Sequence, residues 1–242
     1  MVSGYDHPIM HRTARLFYRK EDPWLWLRRV EAHCSAASTL LEIGAGSGKA
    51  PQNTAYPAAG TVYGIDPDPR VLDNPHLANA WCMMASEIHT LPDELQFDCI
   101  YSRFVAEHVA DGEAFLAKQL SRLTPDGILV HSTVSAYHWS SFLNAVIPRR
   151  LKIWMTRNLG AERDEEDVFE AHYALNTTRQ IARICQQLDC SFEIIRQDLP
   201  PGYLKRSFLL MLLYSLIHKP LQVIFPALRP HFLFIIRPNR SA

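Results

Sequence analysis

Residues 42–49 read Glu-Ile-Gly-Ala-Gly-Ser-Gly-Lys, directly after an apolar Thr-Leu-Leu. Backbone N–H groups in a glycine turn that follows a strand can cradle a phosphate, a dinucleotide or a nucleoside. A P-loop requires G-x-x-x-x-G-K-[ST]. Gly48-Lys49 matches its end, but Ile43 stands where the first glycine belongs and Ala50 where a magnesium-binding hydroxyl belongs. A nicotinamide-dinucleotide turn requires G-x-G-x-x-G and an acidic residue about 20 positions on. Gly44, Gly46 and Asp66 fit, yet the third glycine comes one position early, at Gly48. Glu42 weighs against both readings, because a carboxylate at the strand end repels a pyrophosphate at short range. The same carboxylate suits a ligand that is cationic and carries no phosphate. Lys49 then reads as an exposed side chain with no part in binding.

Glu42, Gly44, Gly46 and Gly48, with Ala45 between, fit E-x-G-x-G-x-G at every fixed position. This resembles the first motif of class I S-adenosylmethionine-dependent methyltransferases, whose cofactor bears a sulfonium and an ammonium. The later segments resemble that family in order. Asp66, followed by Pro67 in "YGIDP", resembles the acid that takes both ribose hydroxyls. Ala85–Pro92, "ASEIHTLP", resembles the family's G-D-A-x-x-L-P segment. Aligning Leu91-Pro92 puts Glu87 where a carboxylate accepts from the adenine amino group, and Ile88 beside the adenine face. Phe97–Val109, "FDCIYSRFVAEHV", resembles the fourth-strand motif and brings Tyr101, Ser102 and Arg103 into the implied cofactor-binding set. Arg122–Val130 resembles the L-x-P-G-G-x-L lead into the fifth strand, with Asp126 where glycine is usual. The resemblance implies S-adenosyl-L-methionine as cofactor and an α/β, Rossmann-like three-layer fold. Its mostly parallel seven-stranded sheet would have an antiparallel last strand.

Methyl transfer from a sulfonium is an in-line displacement on an activated carbon, so the protein mainly positions the reactants and excludes water. An oxygen or nitrogen acceptor can need a base near neutral pH, most often histidine. His108 after the fourth strand, His138 after the fifth, and His172 further on are the candidates, with Tyr137 and Tyr173 as substrate contacts. "YSRF" differs from the [DN]-P-P-[YF] of amino-methylating nucleic-acid enzymes. No glutamate pair of the protein arginine type and no Asp/Asn metal cluster of the catechol type is present, so no metal is expected. A small-molecule acceptor remains. The aromatic insert after the fifth strand and the apolar run Ser207–Ile217 favour an apolar or amphipathic metabolite, such as a lipid or secondary metabolite. The alternatives are a cofactor-binding protein that runs another reaction or serves as a scaffold, and a nicotinamide oxidoreductase.

The elements that must hold these residues are readable from pattern. The 242 residues suffice for one domain with a full core. Lys+Arg and Asp+Glu both number 25, so the basic surplus of a nucleic-acid binder is missing. Five cysteines without a C-x-x-C pair point to a reducing, cytoplasmic setting, and Met1–Lys20 has no apolar leader-like stretch. Residues 1–38 read as a helical cap, with Asp22-Pro23 opening a helix whose stripe is Trp24, Leu27, Val30 and Cys34. Residues 39–134 alternate strand and helix as a cofactor-binding core. In that core a poor helix broken by Pro51 and Pro57 follows the glycine turn, a third strand falls near Trp81–Ala85, and Asp111 caps a helix with Ala114, Phe115, Leu120 and Leu123 apolar. Residues 135–176 read as a substrate or lid insert containing Trp154 and the solvated acidic run Asp164–Asp167. Residues 177–242 hold a Thr177-capped helix and two strands, Phe192–Arg196 and Phe232–Arg237. Between those strands lies the apolar Ser207–Ile217. A helix of that length covers roughly 16 Å, about half a bilayer core. The surrounding Tyr203–Leu228 is the candidate contact with a membrane surface or a second copy.

Overall fold

The computed structural model describes residues 16–18, 21–49, 56–58, 60–147, 170–199 and 208–239. Pro51, Trp154, the acidic run 164–167 and the start of the apolar run at Ser207 lie outside the described residues.

Seven strands form one sheet: β1 Thr39–Ile43, β2 Thr61–Asp66, β3 Asn79–Cys82, β4 Phe97–Arg103, β5 Leu123–Val134, β6 Cys190–Gln197 and β7 His231–Pro238. Their order is β3-β2-β1-β4-β5-β7-β6, and β7 alone runs antiparallel, to both β5 and β6. β1 and β4 read as near-continuous apolar runs because helices or loops cover both of their faces. The order reverses between β1 and β4, and the crevice beyond the carboxyl ends of those strands is where open α/β sheets take their ligands.

Helices α1 Leu25–Glu31, α2 Gly112–Leu120, α3 Trp139–Val146, α4 Thr178–Gln187 and α5 Phe208–Ile224 surround the sheet. Two apolar layers result. One packs Leu41, Ile43, Ile65, Ile100 and Leu129 against Phe115 and Leu116 of α2 and Ile181 and Ile184 of α4. The other packs Leu40, Val62, Tyr101, Val130 and Ile235 against Trp26 and Val30 of α1. The caps are as expected at two places. Asp111 accepts from Ala114 N at 3.0 Å, and Thr177 Oγ1 accepts from Gln180 N at 3.2 Å.

Other expectations shift. α1 starts at Leu25 and not after Asp22, whose carboxylate instead accepts from Trp24 N at 3.0 Å to close the preceding turn. Its deepest residues are Trp26 and Val30, one turn apart, and Trp24, Leu27 and Cys34 only flank them. β3 sits two residues earlier than Trp81, because its edge pairing with β2 begins at Asn79 opposite Tyr63. β5 begins at Leu123, which pairs with Phe97, and an irregularity between Phe97 and Cys99 absorbs the "TPDG" residues that read as a turn. α5 does not stop at Lys219-Pro220 but runs through Pro220 to Ile224. Proline there removes one backbone hydrogen bond, and the helix continues with Ser215 and Gln222 buried on either side of it.

Candidate cofactor and acceptor site

The glycine turn leaves β1 at the reversal point. Gly44, Gly46 and Gly48 have φ of 78, 54 and 66°, in the left-handed region that glycine enters at no steric cost. A Cβ at Gly44 would sit 2.4 Å from Val105 Cγ2, and one at Gly48 would sit 2.4 Å from Asn74 Oδ1. The turn is tied down from β2. Gly44 N donates to Ile65 O at 2.8 Å, and Asp66 Oδ2 accepts from Gly46 N at 2.9 Å. Asp66 Oδ1 accepts from Asp68 N at 2.8 Å, which turns the chain at exposed Pro67. Buried Asn74 reaches the turn from the other side. Its Nδ2 donates to Ala45 O at 3.2 Å, to Gly46 O at 3.0 Å and to Tyr56 Oη at 2.8 Å. No motif marks Asn74, because its role depends on a pairing across 29 residues.

Glu42 and Tyr101 are register partners on β1 and β4. Glu42 is 0% exposed, accepts from Tyr101 Oη at 3.2 Å, and pairs with Arg103 at 2.7 Å. The Arg103 guanidinium lies 4.6 Å from the Trp26 ring centroid, and Trp26 stacks on Tyr101 at 5.6 Å. Burial pushes the Glu42 carboxyl pKa up, and Arg103 and Tyr101 oppose that shift. Glu42 therefore shares its charge with Arg103 and does not stand alone at the strand end.

Past β3, exposed Glu87 takes Met84 N at 2.8 Å and so caps the 3-10 turn Ala85–Thr90. Ile88, expected beside the adenine face, is 0% exposed and packs in the core instead. The segment is held by Arg122, whose guanidinium donates to the carbonyls of His89, Leu91 and Pro92 at 2.6, 2.8 and 3.0 Å.

Glu42, Asp66 and Glu87 thus come from the ends of three neighbouring strands, β1 and β2 directly and β3 through the turn after it. Among the described residues of the turn, Lys49 is exposed, and Arg103 is paired with Glu42. This set of acceptors fits a ligand with hydroxyls, an amino group and positive charge, and not a pyrophosphate.

The acceptor candidates separate. His108 follows β4 and is half-buried. Its Nδ1 lies 2.8 Å from Glu170 O. A carbonyl only accepts, so Nδ1 carries the proton, and in the neutral ring the lone pair is on Nε2. Exposed His172 joins it, because the N–H groups of His172 and Tyr173 both donate to Glu107 O, at 2.8 and 3.1 Å. Tyr173 has φ of 54°. A buried chain fixes this junction: Thr133 Oγ1 donates to Glu107 Oε2 at 2.8 Å, and Asn176 Nδ2 donates to Thr133 Oγ1 at 2.9 Å and to Val134 O at 2.7 Å. Glu107, Thr133 and Asn176 carried no signal in the sequence. Tyr137 is 55% exposed after β5.

His138 lies elsewhere. It is 1% exposed, its Nδ1 meets Ser140 Oγ at 2.6 Å, and its Nε2 meets Tyr214 Oη at 3.2 Å. Burial, then the neighbouring His218 and His231, push its pKa down to about 3. It fastens α3 to α5, and a ring so reluctant to take a proton is a poor base near neutral pH. Ser102, expected at the cofactor, is 1% exposed and bonds His131 Nδ1 at 2.7 Å between β4 and β5.

A family model described as "Methyltransferase domain" matches residues 7–193. A curated relative, the ubiquinone biosynthesis O-methyltransferase of Bradyrhizobium diazoefficiens, is 31% identical over 134 residues, 52% of this chain and 51% of its own. That of Rhodopseudomonas palustris is 32% identical over 122 residues, 47% of this chain and 46% of its own. The chain thus spans about half the length of the curated relatives it matches. Among solved structures, the N-methyltransferase NodS of Bradyrhizobium japonicum superposes with a TM-score of 0.51 at 14% identity, over 98% of this chain and 99% of NodS. The plantazolicin methyltransferase BamL, solved with S-adenosylhomocysteine, gives a TM-score of 0.53 at 13% identity, over 98% and 93% of the two chains. At these identities the superpositions establish the fold. With the family match over residues 7–193, they make this chain a member of the methyltransferase-domain family, a class I S-adenosylmethionine-dependent methyltransferase.

Proposed function

We propose that the chain methylates an oxygen on a small apolar or amphipathic metabolite, with His108 Nε2 as the base. The observation that supports this is the 2.8 Å Nδ1–Glu170 contact, since a ring that donates from Nδ1 keeps its lone pair on Nε2. When bound, S-adenosyl-L-methionine supplies the methyl group. In the proposal its ribose hydroxyls go to Asp66 and its adenine amino group to the neighbourhood of Glu87, with Arg103 and Glu42 at the methionine end. The glycine turn presents backbone along the cofactor, and the stacked Trp26 and Tyr101 rings pack beside the Glu42–Arg103 pair. Tyr137, His172 and Tyr173 line the acceptor side. The curated relatives are named as O-methyltransferases of ubiquinone biosynthesis, which supports an oxygen acceptor on an apolar molecule.

The setting proposed is the cytoplasm. All five cysteines are free thiols, and no described helix is long and apolar enough to cross a membrane. The test is a mass-spectrometric search for a gain of one methyl across lipid and metabolite extracts, followed by His108→Gln on the acceptor found. Loss of a base contributes about 10²–10⁴-fold, so kcat is expected to fall at least a hundredfold with KM little changed. Full turnover by the variant removes His108 as base. Cofactor binding without any methylated product favours a scaffold or another reaction.

A further inference from the structure

His108 closes the 3-10 turn Ala106–His108 after β4, and residues 170–176 fold back onto that turn. Two of the three described non-glycine residues with positive φ lie at this junction, Phe104 at 55° and Tyr173 at 54°. Left-handed backbone at an aromatic residue costs energy and persists where the surroundings over-determine it, which happens most at functional sites. Here the surroundings include a buried hydrogen-bond chain whose direction is fixed atom by atom. Asn176 Nδ2 lies 2.7 Å from Val134 O, a carbonyl that only accepts, so that end of the amide is the nitrogen. The same nitrogen therefore donates to Thr133 Oγ1 at 2.9 Å. Thr133 has one hydroxyl hydrogen, and it goes to Glu107 Oε2 at 2.8 Å. This orientation leaves Asn176 Oδ1 buried with no partner. A buried acceptor left empty is unfavourable, and what it accompanies is a chain that points from Asn176 through Thr133 to Glu107.

Main chain closes both ends of the segment. Glu107 O accepts from His172 N and Tyr173 N, and Asn176 O accepts from Ala136 N at 3.0 Å. Gln180 Nε2, on α4, donates to Tyr173 O at 3.0 Å. Between the ends, Leu175 is wholly buried and packs so close to Gly112 that a Cβ there would lie 2.8 Å from Leu175 Cγ. Glu170 O, just ahead of this clamp, is the group that meets His108 Nδ1 at 2.8 Å. We propose that Thr133 is a positioning residue of the acceptor site: its hydroxyl, bridging Asn176 and Glu107, holds residues 170–173 against the turn after β4 and so keeps the His108 proton on Nδ1. Thr133 is 0% exposed and acts through Glu107 and Glu170. Its consequence for catalysis rests on the reading of His108 as the base, whereas its hold on the ring does not.

The experiment is nitrogen NMR of the full chain with isotope-labelled histidine, read with the rings neutral, His108 being assigned by the signals lost in His108→Gln. The unmodified chain is expected to show His108 with a protonated Nδ1 and a bare Nε2. Thr133→Val keeps the side-chain shape and removes the hydroxyl. It is expected to weaken the Nδ1 preference roughly two- to tenfold, the effect of one hydrogen bond, while S-adenosylhomocysteine still raises the melting temperature. Thr133→Ser returns the hydroxyl and is expected to restore the preference. If Thr133→Val does not fold, Asn176→Ala takes its place and is expected to weaken the preference to a similar degree, because the Thr133 hydroxyl is then free to turn. An undiminished preference in the folded variant overturns the proposal, as does a loss that Thr133→Ser fails to reverse. So does an unmodified chain whose His108 carries its proton on Nε2. Loss of the S-adenosylhomocysteine shift together with the preference also overturns it, since the change is then a general loss of packing. Full turnover by His108→Gln alongside the expected Thr133→Val result would refute the base and leave the positioning role standing.

Discussion

The most informative residue is Glu42, and its meaning changes between sequence and structure. As a sequence feature it argues against phosphate, since it precedes the glycines by two positions. In the fold it is wholly buried and neutralised in part by Arg103 at 2.7 Å. Removing one member of a buried pair strands the other charge, a loss of about 3–5 kcal/mol. Arg103→Met is therefore expected to lower stability by about 3 kcal/mol in urea unfolding, and Glu42→Gln added to it is expected to restore a good part of that. If single and double variants lose the same amount, the two residues are not energetically coupled. A sequence shows the acid and the arginine 61 positions apart, but nothing in it pairs them. The same holds for Asn74 beneath the glycine turn and Arg122 beneath the post-β3 segment. Such partners become visible only when the sheet register brings distant positions together.

At the scale of elements, parallel strands announce themselves and their exact pairing does not. The apolar runs at β1, β4 and β5 and the Asp111 and Thr177 caps were readable because each is a local property. The β5 start and the course of α5 through Pro220 were not, since long-range packing decides both. The β4–β5 register places Ser102 opposite His131. His131 lies between the rings of Phe115 and Phe234, at 5.6 and 5.0 Å, and burial pushes its pKa down to about 3. The unfolded chain binds a proton there near pH 6.5 and the folded chain does not. This contribution is therefore complete above pH 6.5 and is lost as pH falls toward 3. Between pH 7 and pH 5 the loss should be about 2 kcal/mol. His138, held at about 3, and His231, pushed by burial to about 4, add to the same slope, so chemical unfolding across that range should show a steeper dependence that His131→Leu reduces by its own share of about 2 kcal/mol. An unchanged slope in the variant would mean that His131 takes up its proton in the folded state.

For the whole molecule, the strand order does the arranging. Reversal between β1 and β4 collects the glycine turn, Asp66, Glu87 and the β4 end along one edge, so motifs spread over 60 residues of sequence meet at one crevice. The motifs proposed for the cofactor are local spacings, which a sequence displays directly. The residues proposed for the acceptor are single side chains after β4 and β5 and in the 170–176 segment, none with a spacing rule. The central claim is that this crevice takes a cationic nucleoside cofactor and not a dinucleotide. A thermal melt with S-adenosylhomocysteine or NADH tests it most directly. At saturating S-adenosylhomocysteine the melting temperature should rise by about 5 °C or more, with no change for NADH and little change for Asp66→Ala with either ligand. A shift with NADH and none with S-adenosylhomocysteine would contradict the account.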